Sequence, residues 1–187
     1  LFCYGLKSPV ENWLPEYFYQ FPSTIQERDY VAINISAGHP KRKYPYEKWR
    51  KVISHILHVS SREVALFCSK KEIKDAQRLK SIFQDKVHYP LNSPDLYHAS
   101  GIINESAFLI SLDTSLIHLA AALQKPIIGL YSNDLLNYTR YKPYNVLSKN
   151  IKSNTDLIRD IDPNDIIEYY DQMIDKIDKA STWKLLM

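Results

Sequence analysis

The sequence predicts an α/β fold: a Rossmann-like, mostly parallel sheet with helices on both faces. Three observations carry this. From Asp29 onward, short apolar runs alternate with longer stretches of helical period, the rhythm of βαβ units. One run, residues 107–112 (Ala-Phe-Leu-Ile-Ser-Leu), is almost continuously apolar, as strands buried on both faces are. The chain has 187 residues, 45% hydrophobic and 24% charged, which suits one domain with a single core and excludes a disordered or fibrous chain.

The elements follow in order. Residues 31–35 (Val-Ala-Ile-Asn-Ile) read as the first strand, ending in a loop of small residues that includes Ser36, Ala37 and Gly38. Pro45 suits the first position of a helix, and Trp49, Val52, Ile53, Ile56 and Leu57 form one apolar stripe behind it. Residues 63–68 are the second strand, and 70–83 a charged helix with Ile73, Ala76, Leu79, Ile82 and Phe83 on its apolar face. Residues 87–90 make a short third strand. Ser93 and Pro94 cap and start a helix to about Glu105. The apolar run 107–112 is the centre of the sheet. Residues 116–123 form a helix apolar enough to be buried, and 126–131 the next strand. Residues 132–144, polar and tyrosine-rich, have no clear period and read as a long loop. A last short strand is expected at 145–147, and Asp162-Pro163 opens a final amphipathic helix through Ile166, Tyr170, Met173 and Ile177, with a loose tail from about Ser181. The resulting partition is an entry segment at 1–28, a domain at 29–180 and a tail at 181–187. The start at Leu1 and the irregular aromatic stretch that follows read as a piece of a longer protein.

Composition narrows the function. Four glycines in 187 residues, widely separated, leave no place for a G-x-G-x-x-G or P-loop motif. Two cysteines without a C-x-x-C pair exclude a disulfide scaffold and a cysteine zinc site, and point to a reducing cytoplasm. A net charge of +3 does not prompt nucleic acid as a partner. Apolar runs are too short for a membrane span.

In an open parallel sheet, ligands bind outside the carboxyl ends of the strands. Three segments are expected there. The loop after the first strand carries Lys41, Arg42 and Lys43, either a solvated basic loop or a phosphate site. The loop after the second strand carries Ser69 and Glu72. Asp113, Thr114 and Ser115 end the central strand and precede the apolar helix; they serve either as ordinary N-caps or as part of an anion site built on the helix N-terminus. His118, one turn into that helix, is either a satisfied core histidine or a contact to a bound phosphate or sugar. His55 and His58, three residues apart on one helix, have no evident third ligand, so they read as structural histidines and not as a metal site.

The segment from Asp113 to Pro126 (DTSLIHLAAALQKP) resembles the D-[TS]-G-x-x-H-[LI]-A-A-A-L-x-K-P segment of glycosyltransferase family 9, the bacterial lipopolysaccharide heptosyltransferases. Arg42 to Trp49 is similar to the family's K-x-W-P-x-x-x-[WF] loop, and Phe67 to Glu72 stands where the family has a glycine followed by an acidic position. The three blocks span residues 30–144 in the family's order. The resemblance implies the C-terminal, donor-binding half of a GT-B enzyme, with a nucleotide sugar, ADP-heptose or similar, as ligand. It implies that Asp113, Thr114, Ser115 and His118 hold the donor diphosphate, that Arg42, with Lys41 or Lys43, neutralises it, and that Ser69 and Glu72 meet the nucleoside. It further implies inverting transfer to a lipid-linked glycan acceptor without a metal or other cofactor. The catalytic base would lie in an N-terminal domain, so none is assigned in this chain. Three departures are legible: Ser115 replaces the family glycine, which implies a narrower phosphate pocket; Arg42 replaces a lysine; and Ser132-Asn133-Asp134 stands in place of a glycine-rich stretch. The alternative is a non-catalytic, doubly wound nucleotide- or phosphate-binding module.

Overall fold

The computed structural model describes residues 29–89 and 96–185. Six strands, β1 (Tyr30–Asn34), β2 (Glu63–Phe67), β3 (Val87–His88), β4 (Leu109–Leu112), β5 (Ile127–Tyr131) and β6 (Ser148–Lys152), form one sheet in the order β3-β2-β1-β4-β5-β6. Every neighbouring pair is parallel. The strand order reverses between β1 and β4, so the loops after these two strands diverge and leave a crevice at the sheet's carboxyl edge.

Alternation along the strands sorts the core into two layers. Val31, Ile33, Val64, Leu66, Ile110, Leu112, Ile128 and Leu130 face one side. There they pack on α1 (Tyr46–Val59), α2 (Ile73–Phe83) and α6 (Pro163–Leu185) through Trp49, Ile53, Leu79, Ile166 and Tyr170. Tyr30, Ala32, Ala65, Phe67, Leu109, Ile127 and Tyr131 face the other side, against α3 (Leu96–Glu105) and α4 (Ser115–Ala122). Each fully buried valine, leucine or isoleucine contributes roughly 1.5–3 kcal/mol, and the central strands β1 and β4 are apolar on both faces for that reason. Scarce glycine shows at the end of α4. Gln124 takes the left-handed position that glycine usually fills (φ 55°), while Lys125 N–H closes the helix onto the Ala120 carbonyl.

Five expectations need correction. Residues 132–144 are not all loop: Leu135–Tyr141 form a helix, α5. Its seven residues are too few to show a period, and it is held by Tyr138, whose ring meets Tyr131 edge-on at 5.2 Å. The last strand lies at Ser148–Lys152 and not at 145–147. As a polar edge strand with Ile151 alone buried, it carries lysines where an apolar alternation would have flagged it. Pro45 is the N-cap of α1 and not its first residue, and α2 begins at Ile73, after a turn over 69–72. Finally, α6 runs to Leu185, past the point where a tail was expected. The expected start of α3 at Ser93-Pro94 and the entry segment 1–28 lie outside the described residues.

Tyr131 is buried and its hydroxyl finds no partner, with the ring lying over Gly129. Burial pushes its pKa up, so the group is a neutral, unsatisfied donor. Tyr131→Phe is therefore expected to stabilise the fold by about 1 kcal/mol, roughly 2–4 °C in melting temperature for a chain of this size. A lower melting temperature by calorimetry would show that the hydroxyl has a partner after all.

Candidate functional site

The site begins with Asn34, the last residue of β1 and 1% exposed. A buried carboxamide must be hydrogen-bonded, and this one is bonded across the crevice. Its Oδ1 accepts from Ser36 N–H (3.0 Å), while Nδ2 donates to Ser111 Oγ (3.1 Å) and Thr114 Oγ1 (2.9 Å). A side chain of β1 thus fixes the junction between β4 and α4. Sequence reasoning passed over Asn34; the available signal was a lone amide inside an apolar strand.

This bond decides what happens at the start of α4. Thr114 is the N-cap, in extended conformation, and its hydroxyl makes no capping bond because it is turned toward Asn34. Asp113, 7% exposed, is turned away as well: its Oδ2 lies 3.3 Å from Arg42 Nη2. Ordinary side-chain capping by these two residues is thus overturned. Ile117 N–H closes onto the Thr114 carbonyl (3.2 Å), while the N–H groups of Ser115 and Leu116 stay open at the positive end of the helix. Ser115 is the first helical residue, exposed and with φ outside the left-handed region, so the serine is accommodated without backbone strain. A glycine there would add clearance and nothing else.

Arg42 reaches the same place from the loop after β1. Besides its ion pair with the Asp113 carboxylate, Nη1 donates to the Asp113 carbonyl (3.0 Å). Burial raises the Asp113 pKa above the usual aspartate value, with Arg42 and then His118 acting against the rise. The other cations of the run are placed elsewhere. Lys41 pairs with Asp156 in the loop between β6 and α6, and Lys43 is exposed. Tyr44 and Lys48 anchor this loop from below, both donating to the Ile161 carbonyl. His118 is not a core residue: it stands on the exposed face of α4 with its ring 6.0 Å from that of Tyr141.

On the opposite wall, the turn after β2 is closed by Ser69 Oγ, which donates to Glu72 Oε2 and accepts from Lys71 N–H (3.2 Å). Glu72 is buried behind this turn, and Ser69 and Lys71 face outward. Burial pushes the Cys68 thiol pKa up, with Glu72 adding to the rise.

The three segments enclose one open cleft of about 470 Å³ at the carboxyl edge. Ser36 and Gly38 line it from β1, Phe67 to Ser69 and Lys71 from β2, Ala99 from α3, and Thr114 to Leu116 from α4. A Cβ at Gly38 would meet no atom within 4 Å, so that loop borders open space. Its lining combines apolar side chains (Phe67, Ala99, Leu116) with polar ones (Ser36, Ser69, Thr114, Ser115) and includes the α4 N-terminus. Arg42, Asp113 and His118 stand at its margin and not on its wall. Among the described residues, no group of three His, Cys, Asp or Glu side chains is arranged to hold a metal ion. His55 pairs with Asp171 on α6 (2.8 Å), on the other face of the sheet. No described helix is long and apolar enough to cross a membrane.

A parallel sheet of this order, with helices on both faces and a ligand crevice at its switch point, is the α/β architecture found in GT-B glycosyltransferases. The chain belongs to glycosyltransferase family 9 (heptosyltransferase), whose family profile matches residues 10–170. It is 29% identical over 106 residues to a lipooligosaccharide heptosyltransferase 2 of Haemophilus ducreyi, a match covering 54% of this chain and 30% of that protein. Among solved structures it resembles E. coli heptosyltransferase WaaC with ADP (TM-score 0.65, 21% identity, 81% of this chain and 46% of that one). The same enzyme with ADP-2-deoxy-2-fluoro heptose matches at TM-score 0.66 and 22% identity, over 78% and 43% of the two chains. A family 9 glycosyltransferase from Veillonella parvula matches at TM-score 0.70 and 15% identity, over 81% and 48%. The chain spans less than half the length of each of these relatives.

Proposed function

We propose that this chain is the donor-binding half of an inverting family 9 glycosyltransferase. In this reading it binds a nucleoside diphosphate sugar, ADP-heptose or a close analogue, for lipopolysaccharide or other cell-surface glycan assembly in the cytoplasm. The observation that carries the reading is the uncapped N-terminus of α4 opening into the cleft at the switch point, with Arg42 at its margin. The diphosphate docks on the Ser115 and Leu116 N–H groups and the Thr114 and Ser115 hydroxyls. The nucleoside lies along Phe67, Ala99 and Leu116 toward Ser69 and Lys71, with Glu72 holding Ser69 in place. The E. coli relative was solved with ADP and with an ADP-heptose analogue, which supports adenine as the base.

Transfer requires two things, a base for the acceptor hydroxyl and stabilisation of the charge that builds on the departing diphosphate. This half supplies the second. The helix N-terminus offers fixed donors and a positive pole, which a metal would otherwise have to replace. Arg42 donates one N–H to the Asp113 carbonyl and pairs by charge with its carboxylate, and keeps further N–H donors for a phosphate oxygen. The base, and the surface for a lipid-linked acceptor, belong to the other half of the enzyme.

The test is a thermal-shift and calorimetry panel of ADP, GDP, UDP and CDP, with and without attached sugars. ADP compounds are expected to raise the melting temperature most, since a ligand at a hundred times its Kd adds about 2.7 kcal/mol of stability. If all four diphosphates leave the melting temperature unchanged, the donor-site reading is wrong.

A further inference from the structure

Asn34 pairs in register with Ser111 on β4, so the two side chains stand on the same face of the sheet, beneath the start of α4. Both are fully buried. At that depth each polar group must be paired, and the direction of each hydrogen bond follows from what its partners can do.

The Ser36 main-chain N–H can only donate, and it donates to Asn34 Oδ1 (3.0 Å). That fixes the carboxamide. Its Nδ2 then faces the Ser111 and Thr114 hydroxyls at 3.1 and 2.9 Å and, at 3.5 Å, the Ser36 carbonyl. An amide nitrogen cannot accept, so Ser111 Oγ and Thr114 Oγ1 both accept from it. Each hydroxyl keeps one proton of its own. Ser111 Oγ donates its proton to the Leu112 carbonyl (2.7 Å). The further contact of Thr114 Oγ1, to Ser111 Oγ at 3.4 Å, is longer than the roughly 2.5–3.0 Å of an O–H···O bond. Thr114 lines the cleft, and its proton is left for an acceptor there.

We infer that Asn34 is a positioning residue for the donor diphosphate: by donating to Thr114 Oγ1 from behind, it turns the hydroxyl proton outward onto a phosphate oxygen. The inference rests on the donor reading and deepens it. A threonine hydroxyl alone can donate or accept, and the amide behind it makes it a donor, which is what an ionised diphosphate requires. Aspartate has nearly the same shape and the opposite effect. With one oxygen accepting from Ser36 N–H, its other oxygen would draw the Thr114 proton inward and leave only lone pairs facing the phosphate.

The experiment is a double-mutant cycle on ADP affinity, read by calorimetry on the 187-residue chain, with Asn34→Ala and Thr114→Val as its arms and thermal melting to establish that each variant is folded. A hydrogen bond to a charged group contributes roughly tenfold to a hundredfold in Kd, so each single change is expected to weaken ADP binding by at least about tenfold. In the Thr114→Val background there is no hydroxyl to orient, and Asn34→Ala is expected to add less than about twofold. Thr114→Ser keeps a hydroxyl; it is expected to bind ADP as wild type does and to restore the sensitivity to Asn34→Ala. Should the alanine variant fail to fold, Asn34→Asp preserves the packing and is expected to lose at least about tenfold in ADP affinity. The inference is overturned if either change at Asn34 leaves ADP affinity at the wild-type value. It is equally overturned if Asn34→Ala costs the same factor with and without the Thr114 hydroxyl, as a merely structural residue would. Wild type that binds no nucleoside diphosphate removes the donor reading and this inference with it, whereas an additive cycle on a chain that binds ADP removes this inference alone.

Discussion

Ser115→Asp is expected to reduce nucleoside diphosphate affinity by about two orders of magnitude while leaving the fold as stable as before or slightly more so. The two effects have opposite signs because one structural feature has two uses. Ser115 is the first residue of α4 and exposed, so a carboxylate there sits against the helix's positive pole and adds roughly 0.3–1 kcal/mol of stability. The same carboxylate occupies the place of the diphosphate. Two like charges about 4 Å apart near a protein surface repel by about 4 kcal/mol, and partial screening at an open cleft still leaves about 2–3 kcal/mol, near a hundredfold in Kd. Ser115→Gly is the control: it removes a side chain without requiring a new backbone conformation, and binding is expected to persist. Calorimetric titration with ADP, paired with thermal melting, reads both quantities. Unchanged affinity for ADP in Ser115→Asp would remove α4 from the site, whatever the fate of the fold.

The sheet was legible because its central strands are buried on both faces and its helices expose one face each, so the two periods stand out in the residues themselves. The elements that were misread lack that signal for physical reasons. In α5, helical structure rests on tertiary contacts, Tyr138 on Tyr131 and Tyr141 on His118, and in β6 an edge position removes the need for apolar residues on both sides. The site was legible in outline. The segments after β1, β2 and β4 do converge, because the carboxyl ends of parallel strands share an edge. What the sequence could not show is how polar side chains choose among partners. Lys41, Arg42 and Lys43 are equivalent on paper, yet Arg42 alone is directed onto Asp113, while Lys41 is drawn to Asp156, 115 positions along the chain. The same holds for Thr114, a natural cap by residue type, whose hydroxyl is diverted by Asn34, eighty residues upstream.

That choice of Arg42 leads to the second large effect. Arg42→Ala is expected to destabilise the fold by about 2–3 kcal/mol at neutral pH, because it strands the buried Asp113 carboxylate without its counter-ion. Burial already raises the Asp113 pKa above its ordinary 3.8 with Arg42 in place, so loss of the guanidinium raises it further. The sign of the pH dependence follows. Between the ordinary and the raised value the folded state holds the proton more tightly than the unfolded chain, so stability falls as pH rises through that window. The cost of Arg42→Ala should therefore be largest at neutral pH and shrink as Asp113 takes up its proton in acid. Asp113→Asn removes the buried charge outright and is expected to be at least as stable as wild type at neutral pH. Added to Arg42→Ala, it should recover most of the lost stability, a coupling of about 2 kcal/mol in the double-mutant cycle. Ligand affinity separates what Arg42 does for the fold from what it does for the site. A charge-assisted hydrogen bond to phosphate contributes about 1.5–3 kcal/mol, so ADP binding should stay at least tenfold weaker in the rescued double variant than in wild type. If the rescued variant binds ADP as tightly as wild type, Arg42 serves only to neutralise Asp113, and the diphosphate is held by the helix N-terminus alone.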